Sequence, residues 1–184
     1  MSIYFNTQQG GYLPTSQEIE LKIPTLVDGM SVYRLIKRCP PLDTNSSYCN
    51  ILQTSHFAST SVAAKRNGRV VGFISGYLLP DRPDTFFIWQ VAVDEEARGV
   101  GLASRMLINL LARSACKKVN YLETTITQDN TPSWNLFKSL GKRLSAGFQS
   151  SVWLEKDAHF DGQHDSEALV RIGPFNTDQI RDLS

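Results

Sequence analysis

Hydrophobic positions along the chain change their spacing several times, and each spacing predicts a different kind of element. Residues 18–23 alternate polar and apolar side chains, which is typical of a half-buried strand. Residues 28–38 begin with a capping Asp28, and their apolar spacing predicts a helix. A second helix is predicted over residues 45–57. The inward positions of the first helix are predicted to be Met30, Val32, Leu35 and Ile36.

A hairpin follows these helices. Residues 60–66 and 69–79 are strand-like, and the Asn67-Gly68 pair between them fits a type I′ turn. Residues 80–84 contain two prolines and are expected to form a rigid loop. The apolar run at 86–93 then predicts a strand that is buried on both faces.

The second half of the chain alternates helices and strands. Apolar residues recur every three or four positions from about 99 to 114, which predicts an amphipathic helix. A strand is predicted at 121–127, and a helix is predicted over 132–140 with Gly141 as its C-cap. Two final strands are expected near residues 150–155 and 168–172.

Together these elements predict one mixed α/β (α+β) domain over residues 17–175, between tails at 1–16 and 176–184. Its length of 184 residues and its hydrophobic fraction of 41% are ordinary for a single globular domain.

Charge and cysteine content exclude several classes of function. The net charge is +1 and no dense block of Lys or Arg occurs, which disfavours nucleic-acid binding. Cys39, Cys49 and Cys116 are widely spaced, so we expect reduced thiols in a cytoplasmic protein and no metal site. The polar N-terminus does not resemble a secretory signal, and no apolar run is long enough to cross a membrane.

The strongest chemical signal is the segment from Arg98 to Ala103, between the apolar strand and the amphipathic helix. Its small residues allow a backbone to approach a diphosphate closely, and a helix N-terminus offers unpaired N–H donors. The spacing fits neither a P-loop nor a dinucleotide-binding fingerprint. Taken alone, the glycines could equally well serve only the turn.

This arrangement resembles the GNAT acetyltransferase family, whose motif [Q/R]-x-x-G-x-[G/A] is matched by Arg98, Gly101 and Ala103. Residues 130–141 resemble the segment that follows in that family. The resemblance implies a central, mostly antiparallel sheet of six or seven strands with a splayed pair, flanked by about four helices. It also implies that acetyl-CoA is the co-substrate, held by Val91, Val93, Arg98, Gly99, Val100, Gly101, Leu102, Ala103, Ser104 and Asn130.

Further stretches resemble one branch of that family, the diaminobutyrate acetyltransferases of ectoine biosynthesis. This narrower resemblance implies acetyl transfer to the 4-amino group of L-2,4-diaminobutyrate, and a homodimer. It runs from about residue 20 to 175 and is carried by residues 35–49, 73–77, 80–85, 89–93, 162–164 and 171–175.

A diamino acid carries two ammonium groups and one carboxylate, so its pocket needs carboxylates and an apolar wall. Asp43 either pairs with an ammonium or caps the following helix. Tyr48 either donates to the substrate or packs, and Trp89 either lines the site or belongs to the core. His164 and Glu167 either orient and deprotonate the amine or lie in a solvated acidic loop, and the resemblance favours the functional role. His56 and His159 are expected to be structural.

Two departures from the family pattern concern the proton transfers. Residues 86–93 contain no carboxylate, and Phe137 stands where many relatives have a tyrosine. An aliphatic amine has a pKa of about 10.4, so a base must remove its proton at pH 7. We therefore predict Glu167, with His164, as the base and Tyr48 as the candidate acid, and a main-chain N–H near Val91 would polarise the thioester. Acetylation of another small amine or a protein amine, and a non-catalytic acyl-CoA sensor, remain alternatives.

Overall fold

The computed structural model describes residues 18–178 and 180, which form one seven-stranded mixed sheet with helices on both faces. Its strands are β1 (Glu20–Lys22), β2 (Val62–Arg66), β3 (Arg69–Leu79), β4 (Arg82–Val93), β5 (Tyr121–Thr127), β6 (Phe148–Leu154) and β7 (Glu167–Ile172). The α-helices of this part are α1 (Gly29–Lys37), α2 (Ser47–Gln53), α3 (Leu102–Leu111), α4 (Thr131–Arg143) and α5 (Lys156–Phe160). The strand order is β1-β2-β3-β4-β5-β7-β6, and β4–β5 is the one parallel pair among the described strands. The predicted mixed α/β fold is confirmed.

Local turn signals placed several elements correctly. Asn67 and Gly68 both have positive φ, 53° and 76°, as the predicted type I′ turn requires. The expected loop at 80–84 is shorter than predicted, because β4 already begins at Arg82 and the β3–β4 register closes with Leu79 opposite Arg82. The strand predicted at 121–127 has the predicted bounds.

The helices differ from prediction mainly at their ends. Met30 is 44% exposed and does not face inward, whereas Val32, Leu35 and Ile36 are fully buried. α2 ends four residues early in a series of turns, and α5 was not predicted. Gly141 is not the C-cap of α4, since the helix continues to Arg143 and Ser145 supplies the left-handed residue beyond it.

Two hydrophobic cores lie on opposite faces of the sheet because side chains alternate along β3. Phe73 packs towards α1 with Ala63 and Ala92, while Ile74 joins the core beneath α3 and α4. Ile180, which falls within the predicted tail at 176–184, is buried in the core beneath α3 and α4. The predicted tail at 1–16 lies outside the described residues.

The β4–β5 pair separates halfway along its length. The two strands are paired from Thr85 opposite Tyr121 to Ile88 opposite Thr124, and the Thr124 hydroxyl donates to the Ile88 carbonyl at 3.0 Å. Beyond that point β4 remains paired with β3 through residue 93, and β5 remains paired with β7 through residue 127. The sheet therefore opens into the V that the resemblance predicted.

None of the helices in the described ranges has the length and apolar character needed to span a bilayer.

Candidate active site

A cleft of about 530 Å³ opens where β4 and β5 diverge. Its walls come from the loop between α1 and α2, from both diverging strands, from the start of α4 and from the segment between α5 and β7. The predicted site residues that line it are Asp43, Trp89, Val91, Asn130, His164 and Glu167. Tyr48, Val93 and the segment 98–104 are not part of this lining.

The glycine loop before α3 is shaped for a ligand that binds main-chain groups. Gly99 and Gly101 have φ values of 78° and 72°, a region that favours glycine. No side chain caps this helix, so the first-turn N–H groups keep their hydrogen-bonding capacity. A Cβ atom at either glycine would meet nothing within 4 Å, so the approach from outside is open. The loop therefore fits the diphosphate that the sequence predicted, bound at a ten-residue helix.

Arg98 ties this loop to the end of β4. Its Nε donates to the Val93 carbonyl at 3.0 Å, and the Cys39 thiol contacts the same carbonyl at 3.4 Å. The Asp94 N–H donates to the Val71 carbonyl of β3. Main-chain groups alternate in direction along a strand, so those of Val91 and Val93 point away from β3, towards the opened side. Because both lone pairs of the Val93 carbonyl are used, Val91 is the better placed of the two for an added extended chain.

Asn130 is the N-cap of α4, and its Oδ1 accepts the Ser133 N–H at 3.2 Å. The Trp134 indole donates to the Thr127 carbonyl at 3.1 Å and so fixes the helix to the end of β5. Phe137 lines the cleft and is almost fully buried. The position that carries a tyrosine in many relatives is thus an apolar wall.

Asp43 does not cap α2, so the capping role that the sequence left open for it is excluded. The cap is Ser46, whose hydroxyl accepts the Cys49 N–H at 3.0 Å. The Asp43 carboxylate instead accepts the Asn45 N–H at 3.1 Å, which orients it within the α1–α2 loop. Gln90 holds this loop from beneath, since its Nε2 donates to the Asp43 carbonyl at 2.7 Å. Tyr48 is 68% exposed on the second residue of α2, and the structure does not bring it into the cleft.

Trp89 lies at a bulge in β4. The register with β3 passes from Ser75–Gln90 to Gly76–Ile88, so Trp89 is the extra residue and its side chain is displaced from the regular alternation. The ring is 43% exposed and packs edge-on against Tyr77 at 6.3 Å. The prediction that this strand is buried on both faces is therefore wrong at Trp89. Its side chain lines the cleft and is not part of the core.

His164 and Glu167 form a pair on the opposite wall. The His164 Nδ1 lies 2.8 Å from the Asp165 carbonyl, which can only accept, so the proton of the neutral ring is on Nδ1. Its Nε2 is therefore an acceptor, 3.8 Å from the nearer Glu167 oxygen. The Phe160 ring supports the imidazole at 4.8 Å. This pair can receive a proton and pass it outward, because the His164 side chain is about half exposed.

The other carboxylates near the V already have partners. Asp129 accepts from the Thr127 hydroxyl at 2.8 Å, and Asp165 pairs with Lys156 at 3.1 Å. Glu123 is buried on β5 outside the cleft lining. Burial raises the pKa of Glu123, but hydrogen bonds from Arg82 and Arg171 outweigh this and hold the pKa below its ordinary value. Glu123 is therefore a structural anion, held by the two arginines outside the cleft.

Several cleft residues were missed from the sequence. Gln90 left a signal, because it is the one polar side chain in the apolar run from Phe86 to Val93. The other missed residues gave no signal in the sequence, since polar residues of these kinds are common on strands, at helix starts and in exposed loops. These are Thr124, Thr125, Thr127, Ser133 and Gln163.

Comparison with known proteins agrees with this geometry. The sequence profile of the acetyltransferase (GNAT) family matches residues 30–142. The L-2,4-diaminobutyric acid acetyltransferase of Methylotuvimicrobium alcaliphilum is 54% identical over 161 residues, which cover 88% of this chain and 94% of the relative. The enzyme of the same description from Vibrio parahaemolyticus is 53% identical over 149 residues, which cover 81% of this chain and 82% of the relative.

A solved structure resembles the whole architecture. Diaminobutyrate acetyltransferase EctA from Paenibacillus lautus, in complex with its substrate L-2,4-diaminobutyric acid and coenzyme A, superposes with a TM-score of 0.84 at 37% identity. The superposition covers 87% of this chain and 97% of that one. The chain belongs to the acetyltransferase (GNAT) family and is an acyltransferase.

Proposed function

We propose that the chain transfers the acetyl group of acetyl-CoA to the 4-amino group of L-2,4-diaminobutyrate, giving N4-acetyl-L-2,4-diaminobutyrate, in ectoine (compatible solute) biosynthesis. The observation that carries this proposal is the cleft between the diverging strands, where the carboxylates of Asp43 and Glu167 lie on opposite walls. A diamino acid presents two cationic groups to such a cleft. The solved relative with diaminobutyric acid and coenzyme A bound supports the same substrate pair.

The first step is loss of a proton from the 4-ammonium. In this proposal the Glu167 carboxylate accepts that proton, and one water molecule relays it to Nε2 of His164, since the 3.8 Å between the two groups exceeds a direct hydrogen bond. The half-exposed imidazole returns the proton to solvent. The Asp165 carbonyl keeps the imidazole in the tautomer whose Nε2 can accept, and the Phe160 ring packs against it.

The neutral amine then attacks the thioester carbonyl. A C–N bond forms, the C–S bond breaks, and the electron pair leaves with the CoA sulfur as a thiolate. The Val91 N–H is the main-chain donor that we assign to the developing oxyanion. Phe137 has no hydroxyl and Tyr48 lies outside the cleft lining, so we assign protonation of the thiolate to water.

Product analysis tests this function directly. The purified chain is incubated with acetyl-CoA and L-2,4-diaminobutyrate, and the acetylated nitrogen is identified by NMR. We expect acetylation at the 4-position and stoichiometric release of free CoA. Acetylation only of peptides would favour a protein acceptor, and tight acetyl-CoA binding without any product would favour a sensor; either result contradicts the proposal.

We also propose that the protein is a homodimer. The edge strand β6 exposes two large apolar side chains, Val152 at 74% and Trp153 at 47%, which a second copy could cover. Light scattering after size-exclusion chromatography should give twice the 20.6 kDa of one chain. A mass of one chain at micromolar concentration would contradict this.

The cytoplasm is the proposed location. All three cysteines are free, and burial raises the pKa of Cys116 to about 12, so this thiol is kept neutral. Cell fractionation should recover the acetyltransferase activity in the cytosol, and recovery in a secreted fraction would contradict the proposal.

A further inference from the structure

Gln90 has one half of its amide satisfied and the other half unpaired. Its Nε2 donates to the Asp43 carbonyl at 2.7 Å, while its Oε1 has no hydrogen-bond partner. Only the nitrogen of an amide can donate to a carbonyl, so this contact fixes which end is the oxygen. The side chain is 7% exposed and lines the cleft. Buried polar atoms are seldom left without a partner, so the oxygen indicates a donor supplied by a ligand.

A second unpaired oxygen lies beside it. Ser75 is directly opposite Gln90 in the β3–β4 register, and its hydroxyl is buried without a partner. Directly opposed residues on antiparallel strands project to the same face of the sheet. The Ser75 hydroxyl can donate as well as accept, yet neither it nor the Gln90 Oε1 has a partner, so the polar atoms beneath the Asp43 loop do not satisfy one another.

We propose that the Gln90 Oε1 accepts an N–H from the ammonium group of the substrate that is not acetylated, the 2-ammonium. A neutral amide oxygen is too weak a base to take a proton, so it suits a group that stays charged. The opposite wall, with Glu167 and His164, carries groups that can take a proton and suits the reacting amine. Asp43 supplies the negative charge on the Gln90 side, because the Gln90 amide holds its main chain.

Gln90 is thus a specificity residue with two functions. Its nitrogen positions the Asp43 loop, and its oxygen selects substrates that carry a cationic group next to the carboxylate. This inference rests on the proposed function, which acetylation of diaminobutyrate by the unaltered chain tests separately.

The experiment compares two inhibitors that each keep part of the substrate. L-2-Aminobutyrate retains the 2-ammonium and lacks the reacting amine, whereas 4-aminobutyrate lacks the 2-ammonium. In Gln90→Met, the inhibition constant of L-2-aminobutyrate should rise roughly 10- to 100-fold, since a hydrogen bond to a charged group is lost. That of 4-aminobutyrate should change less than about 3-fold, and the KM for acetyl-CoA should stay near its original value. Equal changes for both inhibitors, or no change for either, would overturn the proposal.

Two further variants separate the oxygen from general structural effects. Gln90→Glu retains an acceptor oxygen but loses the donor to Asp43, so it should keep the preference for L-2-aminobutyrate while turnover falls. Loss of that preference would show that the loop contact alone matters and would overturn the role of the oxygen. Gln53→Met is the matched control, because Gln53 is a fully buried glutamine on α2 outside the cleft lining. It should leave the ratio of the two inhibition constants unchanged.

Discussion

At the scale of single residues, neighbouring positions on β4 perform different tasks. Trp89, Gln90 and Val91 follow one another, yet the first forms an apolar wall, the second contacts the Asp43 loop and the third offers main-chain groups to the opened side. The bulge at Trp89 makes this possible, because one extra residue changes which face a side chain occupies. The strand therefore brings three kinds of contact to one point in the V.

The carboxylate of Glu167 is predicted to act in proton removal. Glu167→Gln keeps the size of the side chain but cannot accept a proton, so kcat for diaminobutyrate should fall by about 100-fold. Initial rates across the pH range provide the measurement. Glu155→Gln makes the same chemical change on an exposed residue outside the cleft lining and should retain its rate. A Glu167→Gln enzyme with unaltered kcat at every pH would remove Glu167 as the base.

At the scale of elements, the start of α3 depends on backbone conformation rather than on side chains. Gly101→Val should raise the KM for acetyl-CoA at least roughly 10-fold, because a side chain there occupies the open approach to the helix N-terminus. The substitution also imposes strain of about 1–2 kcal/mol at a left-handed position.

Gly68→Val separates these two effects. Gly68 has a φ of 76° in the β2–β3 turn, also with open space around it, so the backbone strain is similar while the site is distant. Thermal denaturation should show comparable losses for both variants, whereas only Gly101→Val should change the KM. A normal KM in Gly101→Val would contradict the diphosphate assignment.

Glu123 links three strands, and its contribution should depend on pH. The buried carboxylate on β5 binds Arg82 of β4 in a bidentate pair at 2.7 and 2.9 Å, and it also binds Arg171 of β7. Its pKa is lowered in the fold, so its stabilisation is complete above the ordinary carboxyl pKa and is lost as the pH falls through the lower, folded value. Glu123→Gln should therefore cost about 1–3 kcal/mol of unfolding free energy at pH 7.

Urea unfolding at several pH values provides the measurement. The difference between the unaltered chain and Glu123→Gln should shrink as the pH falls below about 4. Glu20→Gln, which alters an exposed carboxylate on β1, should change little because exposed ion pairs contribute little. A difference that is constant from pH 7 to pH 3 would contradict the proposed role of Glu123.

At the scale of the whole molecule, the sheet is covered unevenly. α1 and α3 bury both faces of β3, whereas β6 at the other edge has exposed side chains at every position from Gln149 to Trp153.

Trp153→Asp should reduce the molar mass from that of two chains to one, because a charge would be buried at the proposed contact. Val27→Asp places the same charge at an apolar residue near α1 that is more exposed than Trp153, and it should leave the mass unchanged. Equal masses for both variants and the unaltered chain would contradict a contact through Trp153.

The sequence by itself determined the features that depend on local chemistry. The turn at Asn67-Gly68, the bounds of β5 and the glycine loop before α3 were all predicted, because allowed φ values and side-chain periodicity are properties of short segments. The motif at 98–103 also identified the family. Local signals predicted helix ends and helix faces less well. The predicted C-cap at Gly141 and the predicted inward position of Met30 were both wrong, because tertiary packing decides these features.

Only the tertiary structure decided which side chains meet. Asp43, Gln90 and His164 are far apart in sequence, and the separation of β4 from β5 brings them to one cleft. It left Tyr48 outside that cleft and gave Glu123 two arginine partners. Strand order, a one-residue bulge and the path of the α1–α2 loop are consequences of long-range pairing, which no short window of sequence contains.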